Sequence, residues 1–266
     1  MADAERSAKM MIEHEEICDT FERGWTPQNR GPAEIQGFLD KNLAKPFNAA
    51  LVSDLIQIDL ERSWMTWESD LSQSHANVGS EEILKRFADL PRLMDYRRLF
   101  GDVRLSEPHF SQLVQIEYEL RNQCGDMIGP AYYQHFFGVN VSDDWGPVLR
   151  RVHCNGSEAW CRTLAGGIPL RGRNVLGRRR STDGPDLDFE SKPEGNRIVV
   201  APRSESRVSR IQASVQMLSL NVACLSNDGS LNAIAISDGA PLKPGELRII
   251  AFPFWLRLPN LMLNFR

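Results

Sequence analysis

Two hydrophobic grammars meet in one chain of 266 residues. Up to about residue 140, apolar residues recur at helical spacing. Beyond Asp143-Asp144-Trp145-Gly146-Pro147, glycines and prolines punctuate short runs rich in β-branched residues. A chain that changes period in this way must build two kinds of layer, because neither pattern can bury its apolar face in the other's geometry. The expected fold class is a two-domain α+β chain. Residues 1–143 form an N-terminal all-α helical bundle, 144–163 a linker, and 164–266 a C-terminal all-β sandwich, lengths comfortable for two domains.

In the first half, Glu13–Trp25, Ala33–Leu43 and Ala49–Trp67 carry helix-period apolar residues. A further segment runs from Ser80 to Leu99, interrupted near Pro91, and Ser106-Glu107-Pro108 has the form of an N-cap followed by an early proline. Leu55-Ile56-Gln57-Ile58-Asp59 returns 58 residues later as Leu113-Val114-Gln115-Ile116-Glu117. Each copy is followed by an aromatic-bearing helix, Glu81–Phe87 and then Pro130–Phe137, so a repeated helix pair is the economical arrangement. The charged residues of the repeat are expected to be solvated partners one helical turn apart.

Strands are expected at Ile168–Leu176, Arg197–Ala201, Ala213–Leu218, Asn221–Leu225, Ala233–Ile236, Leu247–Ala251 and Phe254–Leu258. Turns fall at Asn227-Asp228-Gly229, Ser237-Asp238-Gly239 and Lys243-Pro244-Gly245. Ser181–Asn196, rich in proline, glycine and acidic residues, is expected to be an exposed loop.

Residues 1–150 hold 15 Lys+Arg against 25 Asp+Glu, and residues 151–266 hold 16 against 10. An anionic partner is therefore steered to the second half. No apolar run is long enough for a membrane span, and five scattered cysteines suit reduced thiols, so a cytoplasmic location is expected. The chain lacks a P-loop, a dinucleotide-binding glycine motif, kinase catalytic motifs and a nucleophile elbow. His153-Cys154 with Cys161 matches no common zinc spacing. No enzyme activity and no cofactor are expected.

Three stretches of the second half carry chemistry: Leu176–Arg180, Val208–Gln212 and Leu225–Ser230. If the sandwich gathers them at one end, they bring arginine forks, a hydroxyl and backbone amides to one point. That set suits a phosphorylated side chain, which brings about −1.5 to −2 charges and three acceptor oxygens. The order Gly177-Arg178, then Ser209-Arg210-Ile211-Gln212, then Asp228-Gly229-Ser230, with Leu242–Glu246 before the last strands, resembles the forkhead-associated (FHA) domain over about residues 164–258. The resemblance implies an FHA-like β-sandwich that takes phosphothreonine peptides. By position, Arg178 and Ser209 would hold the phosphate, Arg210 and Asn227 would stand beside it, Asp228 would meet the peptide backbone, and Gly177 would shape the loop.

This chain departs from the family pattern where Gln212 replaces a histidine and Asp228 an asparagine. A like charge about 6 Å from the phosphate at an effective dielectric near 20 costs on the order of a few kcal/mol before screening. Residues 12–138 resemble, more loosely, the helical region preceding the catalytic domain in serine/threonine kinases of planctomycete-type bacteria.

Together these resemblances imply a non-enzymatic signalling adaptor that binds a phosphorylated protein, in a pathway with a serine/threonine kinase. The helical half would dock or form homo-oligomers, and neither a membrane nor a nucleic acid is the expected partner. Two other readings stay open. One is a degenerate FHA-like interaction module without phosphate recognition. The other is nucleic-acid binding through Arg171, Arg173 and Arg178–Arg180.

Overall fold

The computed structural model describes residues 2–43, 48–74, 78–105, 107–126, 128–141, 150–154, 166–183, 189–192, 195–229, 232–237, 239–259 and 261–266. Ser106, Asp143–Pro147, Cys161, Ser230 and Asp238, singled out above, lie outside them, as does most of the expected linker. The helices are α1 (Ala2–Gly24), α2 (Pro32–Asn42), α3 (Ala49–Ser74), α4 (Ser80–Ala88), α5 (Leu93–Arg104), α6 (Glu107–Gln123) and α7 (Pro130–Phe137). The interruption expected near Pro91 separates α4 from α5, since proline removes a backbone donor and disfavours helix in the residue before it. No described helix is long and apolar enough to cross a membrane.

The chain divides into two compact units, Met1–Asp70 with Asp89–Leu120, and Leu71–Ala88 with Arg121–Arg266. In the first, the two copies of the sequence repeat occupy matching buried positions on α3 and α6, while the second helix of each expected pair, α4 and α7, falls in the other unit. Leu55 and Ile56 of α3 and Leu113 and Val114 of α6 are all fully buried. Gln57 Nε2 donates to Glu61 Oε1 (2.9 Å) and Gln115 Nε2 to Glu119 Oε1 (3.2 Å), the expected one-turn pairs.

The repeated carboxylates are not solvated, however. Asp59 and Glu117 are both 0% exposed. Asp59 accepts from Trp25 Nε1 (2.7 Å), the Gly31 N–H (2.7 Å) and the Tyr96 hydroxyl (2.5 Å). Glu117 Oε1 accepts from the Leu93 N–H (2.7 Å). Gly31 precedes α2 and Leu93 opens α5, so each repeat carboxylate meets a backbone donor at a helix start, where donors lack intrahelical partners. Burial, and then the charge of Asp59, push the Tyr96 phenol well above its ordinary pKa.

The second unit holds two sheets. Strands β1 (Arg151–Cys154), β2 (Ile168–Pro169), β8 (Ala235–Ile236), β10 (Phe254–Leu258) and β11 (Leu261–Phe265) form one, in the order β2-β1-β11-β10-β8. Strands β3 (Arg173–Arg178), β4 (Phe189–Lys192), β5 (Gly195–Ala201), β6 (Ala213–Met217), β7 (Val222–Ser226) and β9 (Leu247–Ala251) form the other, in the order β4-β5-β3-β6-β7-β9. Only β3 and β5 pair in parallel; the remaining pairs of described strands are antiparallel.

One core serves both sheets. Val152, Leu256, Leu263 and Phe265 from the first sheet pack with Leu176, Ile198, Val215, Leu225 and Ile250 from the second. Phe254, Leu256 and Leu258 face inward while Arg257 faces out, the two-residue period of a strand with one wet face.

The expected strand Ile168–Leu176 is divided between β2 and β3, which belong to different sheets, and three short strands were not expected. Arg151–Cys154, placed in the linker, pairs with β11 along Val152↔Phe265 and Cys154↔Leu263. Phe189–Lys192, placed in an exposed loop, pairs with β5. Leu261–Phe265 adds a strand after the run expected to close the sheet. In each, a four- or five-residue strand is too short for its alternation to stand out from its neighbours.

Candidate functional site

The three stretches singled out in the sequence do meet, and backbone hydrogen bonds join them. The Arg178 N–H donates to the Ser209 carbonyl (2.9 Å), and the Gln212 N–H to the Leu176 carbonyl (2.8 Å). The Gly229 N–H donates to the Gln212 carbonyl (3.0 Å). The end of β3, the loop before β6 and the turn after β7 thus form one rim. A register shift between Gly177 and Arg178 on the β3–β5 pair turns the chain there, as bulges do at sheet margins.

Gly177 is required for closeness: a Cβ on it would lie 2.1 Å from the Arg210 carbonyl oxygen. Arg178 is half-buried, its Nη1 donating to the Arg203 carbonyl (2.7 Å), and its Nε is buried without an acceptor among the described residues. Ser209 is half-buried beside it, and Arg210 is exposed. Arg178 and Ser209 are therefore neighbours on the rim, and Arg210 follows them.

Asn227 is placed differently from the expectation. It is 0% exposed, and its Nδ2 donates to the carbonyls of Asn232 and Leu242, both at 2.9 Å. Its Oδ1 accepts from Gln212 Nε2 (3.1 Å) and the Gly229 N–H (3.1 Å). With its amide committed inside, Asn227 holds the rim together and does not stand beside a ligand.

Gln212, only 2% exposed, is its counterpart. Gln212 Oε1 accepts from the Ser209 N–H (2.9 Å) while its Nε2 reaches Asn227, so this side chain ties two loops. A Cβ on Gly229 would sit 2.2 Å from Gln212 Nε2, which explains a glycine whose backbone needs none.

Asp228 lies on the outside. Its Oδ1 accepts from the Ser226 hydroxyl (2.5 Å), and Arg173 Nη2 lies 3.6 Å from its Oδ2. The charge near the rim is thus partly answered by an arginine of β3. Burial, and secondarily the Asp228 charge, push the thiol of nearby Cys224 up to about 12, so it is a protonated packing group.

Sequence reasoning missed the brace beneath the rim. Arg197 on β5 donates from Nη2 to the Arg178 carbonyl (3.1 Å) and to Asp183 Oδ2 (3.0 Å), and from Nη1 to the Arg210 carbonyl (3.4 Å). Asp183 also accepts from the Arg180 N–H (2.6 Å). Burial alone would raise its carboxyl, but these donors outweigh it and hold Asp183 below the usual carboxylate range. An acid three residues beyond a run of arginines was the available signal.

No family model matches the chain, and no curated protein matches it in sequence. Among solved structures, the chain is similar to the FhaA FHA domain complexed with the intracellular domain of Rv3910, at 18% identity and a TM-score of 0.29, over 44% of this chain and 99% of that one. It is also similar to the FHA domain of the CT664 protein from Chlamydia trachomatis, at 10% identity and a TM-score of 0.31, over 44% of this chain and 96% of that one. A third is the N-terminal FHA domain of an S. cerevisiae protein in complex with a phosphothreonine peptide, at 13% identity and a TM-score of 0.27, over 44% and 91%. Likeness at this level assigns no role to a residue of this chain.

Proposed function

We propose that the second unit is an FHA-like module that receives a phosphothreonine-bearing protein at the rim of Gly177, Arg178, Ser209 and Arg210. The chain would act as a signalling adaptor downstream of a serine/threonine kinase. The observation that supports this reading is the Arg178 N–H to Ser209 carbonyl bond of 2.9 Å, which joins the backbones of an arginine-bearing and a serine-bearing loop on a braced edge. Arginine's planar fork bonds two phosphate oxygens at once, and a hydroxyl adds a compact donor. Asn227 and Gln212 keep the loops in place, so little ordering remains to be done on binding.

Titrating phosphothreonine peptides from a degenerate library, each with its unphosphorylated twin, tests the reading. Binding should require the phosphate. Arg178→Ala should weaken it about 10–100-fold, the equivalent of one charge-assisted hydrogen bond of about 1.5–3 kcal/mol. Unchanged affinity in Arg178→Ala, with the fold intact by circular dichroism, overturns the assignment of the pocket.

The Asp228 carboxylate at the third loop favours a second reading, an interaction module without phosphate recognition. The two separate on Asp228→Asn. In a phosphate reader, removing that like charge tightens binding of the phosphorylated peptide alone. In a module indifferent to phosphate, neither twin responds.

A further inference from the structure

In the first unit, three different metal-binding side chains converge. His14 and Cys18 stand four residues apart on α1, the spacing that sets two side chains on one helix face. Asp54 meets them from α3. His14 Nε2 lies 2.7 Å from Asp54 Oδ2, and the ligand atoms of all three residues lie within 4.8 Å of one another. A tetrahedral ion with bonds of about 2.0–2.3 Å needs neighbouring donors about 3.3–3.7 Å apart. The His14–Asp54 edge is shorter than this and no edge exceeds 4.8 Å, so shifts of no more than about 1 Å bring the donors to that spacing. Small side-chain rotations supply that, because the His14 and Asp54 side chains are 25% and 50% exposed. The same exposure admits water to the remaining position.

We propose that His14, Cys18 and Asp54 form a binding site for a divalent transition metal of the zinc class. One nitrogen, one sulfur and one oxygen donor select a borderline ion over calcium or magnesium, which take oxygen ligands. The local field agrees. The carboxylates of Asp54, Asp19 and Glu22 lie close enough to the Cys18 sulfur to act on it electrostatically. The same negative field attracts a dication, and coordination would then draw off the thiol proton. This site does not depend on the phosphate reading.

Cobalt(II), titrated into the full, tag-free chain without oxygen, tests the proposal. One equivalent should bind with the visible bands of a tetrahedral ion and the ultraviolet charge-transfer band of a cobalt–thiolate bond. Zinc(II) should erase both. Cys18→Ser should abolish the charge-transfer band, and His14→Ala and Asp54→Asn should each weaken binding by more than the roughly 10–100-fold that loss of an outer-shell partner costs. A missing thiolate band, or one that survives in Cys18→Ser and so reports another cysteine, overturns the assignment. If a variant fails to fold, the wild-type chain decides: zinc(II) must slow alkylation of Cys18 by iodoacetamide, mapped by mass spectrometry, and an unchanged rate overturns the site.

Discussion

The meeting of the Arg178, Ser209 and Gly229 stretches was legible in the sequence because their chemistry is unusual for loops: forks, hydroxyl and glycine in a fixed order. Asn227 was not, because an asparagine serves equally to contact a ligand or to hold a loop, and only its burial separates the two roles. Four hydrogen bonds converge on its amide, with Gln212, Gly229, Asn232 and Leu242. Deleting the amide leaves several buried groups unsatisfied, each costing about 1–3 kcal/mol, although some will find water. Asn227→Ala should therefore cost about 3 kcal/mol of stability, seen as a lower urea midpoint at unchanged slope. A loss below about 0.5 kcal/mol would mean that the rim is held by its backbone alone. Gln212 illustrates a related point: its buried amide joins the Ser209 loop to Asn227.

Elements were legible where a period ran long enough. The Leu55 and Leu113 repeats foretold two helices with matching buried positions, and α7 spans the expected Pro130–Phe137. What the repeat did not disclose was the work of its acids, since an acid at one helix position looks the same whether it meets water or the start of another helix. Asp59 ties the residue after α1, the start of α2 and Tyr96 of α5 to α3. Asp59→Ala should thus lower stability by about 3 kcal/mol, as expected when a buried hub leaves its donors unpaired. Glu61→Ala, which loses one partly exposed pair with Gln57, should cost about 0.2–0.5 kcal/mol. Urea unfolding followed by tryptophan fluorescence ranks the two, and equal losses would refute the hub.

For the whole molecule, the switch of period foretold two sheets following helices, while β1 and β4 stayed hidden because they are short and flanked by glycine and proline. The charge excess of the second half also proved incomplete as a guide, because several of its cations are engaged internally. Arg197 is the clearest, its side chain buried against Asp183. That pair makes stability depend on pH with a definite sign. Asp183 has its folded pKa depressed, so its contribution is full above the unfolded value near ~3.9 and is lost as pH falls through the lower folded value. Glu205, drawn down to about 2 first by the side-chain hydrogen bonds of Arg207, shifts in the same direction. Its pair is solvent-exposed, however, and screening leaves it little weight. Asp183→Asn should therefore be less stable than the wild-type chain at neutral pH, because Arg197 keeps its burial and loses its counter-charge. The gap between their urea midpoints should narrow as pH falls below about 4, where the unfolded wild-type chain takes up a proton on this carboxyl, and should close further as the folded carboxyl takes up its own at lower pH. A gap that stays constant from neutral to acid conditions would show that Arg197 draws its stability from the Arg178 and Arg210 carbonyls, not from the carboxylate.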